Sequence, residues 1–301
     1  MEPAVQPWVV DVKRNSLDDG PGIRSVVFFK GCPLRCDWCQ NPEALAPWPE
    51  VQRSADACLA CGACVKACPV GRARPAAEAE PDVPCRTCAA CVEACPSAAR
   101  RIVGSAFGVD ELAARLLRDE TFYRRSGGGV TLSGGEPGLF PEFAGAVAAK
   151  LKARSVHVLL ETCGQFSWAP FAQHLLPNVA TVYFDLKIAD PVRHLRHVGR
   201  GNDVIHGNFE RLVAAGAADV LPRIPLVPGL TDDPENLKAL AGLVRKVGLV
   251  RVALLPYNPL WVSKRSALGL GLPYQHADWM RAEEVARCEA VVAGEGLAVV
   301  H

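Results

Sequence analysis

Eleven of the chain's thirteen cysteines lie between positions 32 and 95. No other feature restricts the fold as much, because thiols at that density must pair or hold metal. The N-terminal "MEPAVQPWVVDVKRN" lacks the long apolar core of a secretory signal. No apolar run approaches the roughly 18 residues needed to span a bilayer. The expectation is a cytoplasmic protein with no membrane partner. There thiols stay reduced, so dense cysteines imply metal before disulfides. A net charge of +1 over 301 residues argues against a partner chosen by bulk charge, such as non-specific nucleic acid. The locally basic "RHLRHVGR" (193–200) reads as a solvated helix face.

The cysteines sort into three groups. "CLACGACVKACP" (58–69) and "CRTCAACVEACP" (85–96) repeat the pattern C-x2-C-x2-C-x3-C-P, the bacterial ferredoxin run for a 4Fe–4S cluster. In two-cluster ferredoxins the fourth cysteine of each run ligates the other cluster. One set is then Cys58, Cys61, Cys64 and Cys95, and the other is Cys85, Cys88, Cys91 and Cys68. A pair of zinc sites is the alternative, but zinc motifs usually join two C-x2-C units across a longer gap. A segment so equipped should carry electrons.

The third group, in "GCPLRCDWCQNPE" (31–43), is Cys32, Cys36 and Cys39 at the spacing C-x3-C-x2-C. Three thiolates on a four-iron cube leave one iron open, and an open position marks a catalytic metal. The alternatives are a degenerate zinc knuckle or a site completed by Cys163 or Cys288. Otherwise those two lone cysteines read as small buried hydrophobes. The seven histidines show no ligand spacing, and His301 reads as a chain end.

"SVVFFKG" (25–31) is a short apolar run ending in Gly and predicts a buried strand that delivers the cysteine loop. From 50 to 104 Cys, Pro and Ala dominate, and "RARPAAEAEPDVP" (72–84) is linker-like, so this segment reads as an insert. Beyond it, helical patterns at 109–125, 140–154, 167–176, 202–216, 233–248 and 277–294 alternate with strand patterns. Those strands fall at 129–135, 156–162, 181–187, 219–229 and 250–258, with a short last one within 297–301. The alternation implies a parallel sheet, either a β/α barrel or a doubly wound sheet. Polar residues at successive strand ends favour the barrel, whose rim carries the active site. They are Cys32 onward, Ser133–Glu136, Glu161–Thr162, Asp185–Lys187, Arg223 and Tyr257–Asn258. The expected domains are a barrel formed by 1–49 and 105–301, interrupted by the insert 50–104.

The loop C-x3-C-x2-C, with Trp38 just before its third cysteine, resembles the radical S-adenosylmethionine (SAM) enzymes. The resemblance implies an α/β fold, a partial (β/α) barrel of the radical SAM type, here with a ferredoxin-like iron–sulfur insert. It implies that the open iron is chelated by the amino and carboxylate groups of SAM. Reductive cleavage then gives methionine and a 5′-deoxyadenosyl radical that takes a hydrogen atom from the substrate. "SGGEP" (133–137) is similar to the family's glycine-rich strand end that meets the SAM amino group. Backbone must approach a ligand closely there, and Gly leaves room. Gly134, Gly135 and Glu136 therefore join Trp38 as candidate cofactor contacts.

"YFDLK" (183–187) sets Asp185 and Lys187 on one strand face. In similar enzymes these positions lie near the SAM carboxylate, and Asp185, Glu161 and Thr162 form a candidate monovalent-cation site. The alternative is an ion pair at a barrel rim. Arg223 and Asn258 stand at strand ends where relatives contact SAM, although His is frequent at the position of Asn258.

"SLDDGPGIRSVVFFKGCPLRCDWCQNPE" (16–43), "SGGGVTLSGGEP" (126–137) and "LLPYN" (254–258) narrow the resemblance to the glycyl-radical-enzyme activases. The two-cluster insert matches the longer members of that family. The resemblance implies a radical SAM oxidoreductase that abstracts hydrogen from a glycine α-carbon in a partner glycyl radical enzyme. It implies three 4Fe–4S clusters, SAM and a flavodoxin or ferredoxin-type electron donor. Asp19, Gly20 and Gly22 of "DDGPG" are candidate partner contacts, or an ordinary turn. Gln40, where relatives often carry His or Ser, and "PYNPLWVSKRSALGL" (256–270) depart from the family pattern. Two other classes compete: a radical SAM enzyme acting on a small molecule, and a non-catalytic electron-transfer protein. The latter leaves the three-cysteine loop and "SGGEP" without a purpose. No motif selects the partner's own reaction.

If each cysteine group holds a four-iron cluster, anaerobic metal analysis gives about twelve irons per chain. A reproducible content near four refutes the two clusters of the insert.

Overall fold

The computed structural model describes residues 6–300. Its strands are β1 (Trp8–Ser16), β2 (Arg24–Phe29), β3 (Glu50–Arg53), β4 (Arg100–Val103), β5 (Ser105–Ala106) and β6 (Gly129–Gly134). They continue with β7 (His157–Thr162), β8 (Thr181–Asp185), β9 (Asp219–Leu226), β10 (Arg251–Pro256) and β11 (Ala298–Val300). Nine of them form one sheet in the order β11-β10-β9-β8-β7-β6-β2-β1-β5. From β2 to β11 neighbours pair in parallel. β1 is antiparallel to both β2 and β5.

A doubly wound sheet reverses its strand order at a switch point. Here each new parallel strand adds on the same side, as barrel strands do. The end strands β5 and β11 stay apart in the order, so the barrel is partial. The sheet face turned to the helices is lined by residues such as Val27, Leu132, Leu160, Phe184 and Ile224, all without exposed surface, and Phe184 packs on Phe209 of the helix Asp203–Ala215. One helix covering the sheet, Pro141–Lys152, buries Phe143, Ala144, Val147, Ala148 and Leu151. No helix among the described residues is long and apolar enough to cross a membrane.

Several boundaries differ from the sequence reading. β1 has no counterpart in it, because irregularities between Val9 and Asp11 and between Lys13 and Ser16 break its register and with it the period-two signal. The helix expected over 109–125 is two, Val109–Leu117 and Glu120–Ser126. The break buries Asp119, which accepts from Arg14 Nε (2.7 Å) and Ser25 Oγ (3.0 Å). The pattern over 167–176 gives a short helix, Trp168–Pro170, and then a widened π turn at Phe171–Leu175. The last helix starts at Ala282 rather than 277, because the Arg281 N–H is taken by Glu284 Oε2 (2.8 Å) and the Met280 N–H by Tyr257 O (3.2 Å). An unforeseen helix, Trp261–Ala267, follows β10. The final strand matches β11; His301 lies outside the described residues.

In the cysteine-rich segment β3 and β4 pair as an antiparallel ribbon, Glu50 opposite Val103 and Arg53 opposite Arg100. Two short helices, Ala63–Ala67 and Ala90–Glu93, carry part of each cysteine run. Cys64, Ala73 and Cys91 form a small core apart from that of the barrel. Lys30 ties the segment to the barrel. It is fully buried just after β2, and its ammonium donates to Glu43 O (2.6 Å) and Glu50 Oε2 (3.0 Å).

Arg24 fastens the loop before β2. It has no exposed surface and donates to Thr131 Oγ1 (2.7 Å), Val130 O (2.7 Å) and Pro21 O (3.2 Å). Burial pulls its guanidinium down to about 10, still high enough to stay charged at neutral pH. Arg24→Met keeps the bulk and leaves those acceptors short of a donor. We expect a loss of about 2–4 kcal/mol in denaturant unfolding of the apoprotein; an unchanged midpoint contradicts the assignment.

Candidate active site

The strand ends surround a cavity of about 360 Å³. The loop after β2 contributes Cys32, Cys36, Trp38, Cys39 and Gln40, and β6 contributes Ser133, Gly134 and then Gly135. β7 brings Glu161, Thr162 and the following Cys163. β8 leads to Asp185 and Lys187, β9 carries Arg223, and Asn258 follows β10. Residues from six successive strands thus reach one space.

The cysteine loop is clamped at its ends, with Gly31 N–H donating to Ala44 O (2.8 Å) and Cys32 N–H to Leu45 O (3.2 Å). A second support comes from the helix Pro191–Val198. Arg35 N–H donates to Val198 O (2.8 Å), Asp37 N–H to His197 O (3.0 Å), and His197 Nδ1 lies 3.0 Å from Asp37 Oδ2. This corrects the reading of "RHLRHVGR" as only a solvated face: its C-terminal end braces the loop. Burial pushes the Cys36 thiol up strongly and the Cys39 thiol up to about 12. A hydrogen bond from Cys163 holds Cys32 below its ordinary value, while burial raises Cys163. Buried thiols of this kind ionise readily only when a metal supplies the compensating charge. Soft sulfur donors converging on one cavity fit an iron–sulfur group.

The glycines of "SGGEP" pack β6 against that loop. Gly134 has φ +103°, and a Cβ there would sit 2.5 Å from Phe29 N. A Cβ on Gly135 would sit 2.2 Å from Gly31 O. Glu136, expected beside the cofactor, stands behind the cavity wall instead. It has no exposed surface. Its carboxylate accepts from Thr162 Oγ1 (2.8 and 2.9 Å), Cys163 N–H (2.8 Å) and Gly138 N–H (2.8 Å). Burial pushes its pKa up against these donors. The cost of burying this polar group is met by bonding, so Glu136 positions the end of β7.

Charges alternate along the rim. Arg223 donates to Asp185 Oδ1 (2.9 Å) and Glu161 Oε1 (2.6 Å), and Ser133 Oγ donates to Glu161 Oε2 (2.5 Å). Lys187 Nζ lies 3.1 Å from Asp185 Oδ2. Burial would raise Asp185, but the Arg223 and Lys187 charges outweigh it and hold its pKa below the ordinary value. Burial would lower Lys187, and Asp185 with the nearby thiols raises it instead. The three residues expected to form a cation site do not form one here. A guanidinium bridges Glu161 and Asp185, and the Thr162 hydroxyl is turned to Glu136.

Asn258 reaches the cavity, with its side-chain oxygen 3.3 Å from Leu260 N and its carbonyl accepting from Gln40 Nε2 (3.1 Å). Gln40 thus ties the cysteine loop to the segment after β10. Lys264 strengthens the tie, donating to Gln40 O (2.9 Å) and pairing with Glu43 Oε1 (2.9 Å). Sequence reasoning missed Lys264, which stands over 220 positions from its partners with no local pattern to reveal it. Of the candidate partner contacts, Asp19 lines the cavity with Asp18. Gly20 (φ +121°) and Gly22 (φ +69°) do not line it, and both shape the turn.

In the cysteine-rich segment, Cys58, Cys61, Cys64 and Cys95 line one cavity. Cys68, Cys85 and Cys91 line a second with Arg72 and Glu80, and Arg100 lines both. Each cavity therefore joins one run to the fourth cysteine of the other. Cys88 is exposed and does not line the second cavity. Cys288 is buried away from all three, with its thiol 3.7 Å from Asp232 O.

Arg223→Met leaves two acids without their shared partner. We expect a loss of about 3–5 kcal/mol in urea unfolding of the apoprotein at neutral pH. Asp185 has a depressed pKa, so its contribution is complete above about pH 4 and is lost as pH falls through the depressed value. The difference between wild type and variant should shrink with acid; a constant difference contradicts the ion-pair account.

The radical SAM superfamily model matches residues 86–241. A 4Fe–4S dicluster domain matches residues 50–96, and a 4Fe–4S single cluster domain matches residues 18–61. The chain is 39% identical over 304 residues to the benzylsuccinate synthase activating enzyme of Thauera aromatica, covering 97% of this chain and 92% of that one. It is 38% identical over 291 residues to the isethionate sulfite-lyase activating enzyme of Nitratidesulfovibrio vulgaris, covering 94% of each. Among solved structures it resembles QueE from Escherichia coli in fold, with a TM-score of 0.51 at 14% identity, over 98% of this chain and 92% of that one. The chain belongs to the glycyl-radical-enzyme activating enzymes of the radical SAM superfamily.

Proposed function

We propose that the strand-end cavity is where this activating enzyme holds SAM and exposes a glycine of its partner to the resulting radical. The observation that carries this reading is the convergence of Cys32, Cys36 and Cys39 with Gly134, Gly135 and Lys187 on one cavity. Cys32, Cys36 and Cys39 would hold three irons of a 4Fe–4S cluster, leaving the fourth for the amino and carboxylate groups of SAM. When bound, the cluster and SAM supply a 5′-deoxyadenosyl radical.

The protein's own residues bind and orient. Gly134 and Gly135 bring backbone to the cavity wall without side chains. Lys187 and Arg223 would offer positive charge to the carboxylate of SAM, and Asp185 holds both in position. Trp38, only 4% exposed, closes the loop side. The opening of a partial barrel suits a protein loop as substrate, and Asp18 and Asp19 line the cavity.

The insert 50–104 would hold two further 4Fe–4S clusters, making three, and take electrons from a flavodoxin or ferredoxin-type donor. The barrel would comprise 1–49 and 105–301. The two relatives named above serve different partners at nearly equal identity, so the reading is of the class, a glycyl radical enzyme.

The test is electron paramagnetic resonance on the reduced enzyme with SAM and glycine-loop peptides from candidate partners. A glycyl doublet is expected, and Cys36→Ala should reduce both the doublet and methionine release to background. SAM cleavage that consumes a small molecule, with no radical on any peptide, overturns the reading.

A further inference from the structure

Arg100 stands between the two cysteine cavities and lines both. It opens β4, four residues after Pro96 ends the second cysteine run. Only 5% of it is exposed. Its Nη1 donates to Cys91 Sγ (3.7 Å), and its Nη2 donates to Glu80 Oε1 (3.0 Å) and to Arg74 O. Glu80 also meets Arg72 Nε at 3.0 Å and Arg53 Nη1 at 3.8 Å. One carboxylate among three guanidiniums leaves an excess of positive charge, and Arg100 is the member buried against the thiols.

A buried arginine that is not fully neutralised needs a reason, because charge is costly to remove from water. Eight thiolates around two clusters would provide it. Cluster potentials respond to nearby charge, to hydrogen bonds on sulfur and to solvent exposure. Arg100 supplies the first two, and its burial keeps its field unscreened.

We propose that Arg100 is the residue that raises the reduction potentials of both clusters of the insert, with Glu80 as the counter-charge that limits the effect. Each cluster becomes more negative when it accepts an electron from the donor, so fixed positive charge favours the reduced form. Because Arg100 faces both cavities, it moves both potentials in one direction. Its hydrogen bond to Cys91 makes the effect larger at the second cavity. The proposal rests on the reading that the insert holds two clusters.

The test is a potentiometric titration of the anaerobically reconstituted full chain, read by electron paramagnetic resonance, with iron content measured on each sample. Arg100→Met should lower both insert potentials, each by at least a tenfold change in the one-electron equilibrium constant, about 59 mV. Glu80→Gln should raise them, and Arg100→Lys should stay closer to wild type than Arg100→Met. Opposite signs are the decisive signature, since mere disturbance of the insert would not produce them. If Arg100→Met fails to retain its clusters, the sign of the Glu80→Gln shift decides. Full iron with unchanged potentials, or shifts of the same sign in both variants, overturns the role of Arg100 alone. Wild-type iron near four per chain overturns the two-cluster reading and the proposal with it.

Discussion

The mouth of the barrel depends on how closely the end of β6 packs against the cysteine loop. Phe29 and Gly31 present backbone to Gly134 and Gly135, and any side chain at the two glycines would collide with it. The contact is completed by hydrogen bonds from Gly135 N–H to Phe29 O and from Glu136 N–H to Gly31 O, both 2.8 Å. The same stretch therefore sets the depth of the cavity, positions three thiols and turns Glu136 inward to hold β7. A strand end that served only to bind a ligand would not need such close packing on both sides.

Electrostatics then decides what the cavity accepts. Two of its acids are already matched by its own bases: Arg223 spans Glu161 and Asp185, and Lys187 shares Asp185. Two cations held by two acids give a preorganised polar wall. The buried thiols opposite are the groups whose charge only a metal can settle.

The cysteine-rich segment and the chain after β10 are coupled to this mouth through polar contacts. Lys30 joins the end of β2 to the cysteine loop at Glu43 and to β3 at Glu50. Lys264 and Gln40 tie the other side of that loop to the segment after β10. The cysteine loop is thus held by groups from the barrel, from the cysteine-rich segment and from the chain after β10. Removal of Glu50 would leave the fully buried Lys30 ammonium short of a partner, which costs more than the bond itself contributes.

Cysteine spacing and strand–helix alternation, both local properties, were legible without a structure. They determined the three cysteine groups, the parallel sheet and the strand ends that converge on one cavity. Elements whose periodicity was interrupted were not legible: β1 with its irregular register, and the helix broken to bury Asp119. Side-chain direction at the rim was not legible either. Gly134, Gly135 and Glu136 are adjacent in sequence, yet the glycines line the cavity and Glu136 bonds behind it. Arg223 and Glu161 are 62 positions apart, and only the pairing of β7, β8 and β9 brings them to 2.6 Å. The sequence by itself determined which ligating atoms the chain carries and in what groups, because ligand spacing is written along the backbone. Only the tertiary structure decided which charges neutralise one another, because that depends on distances across strands that no spacing along the chain records.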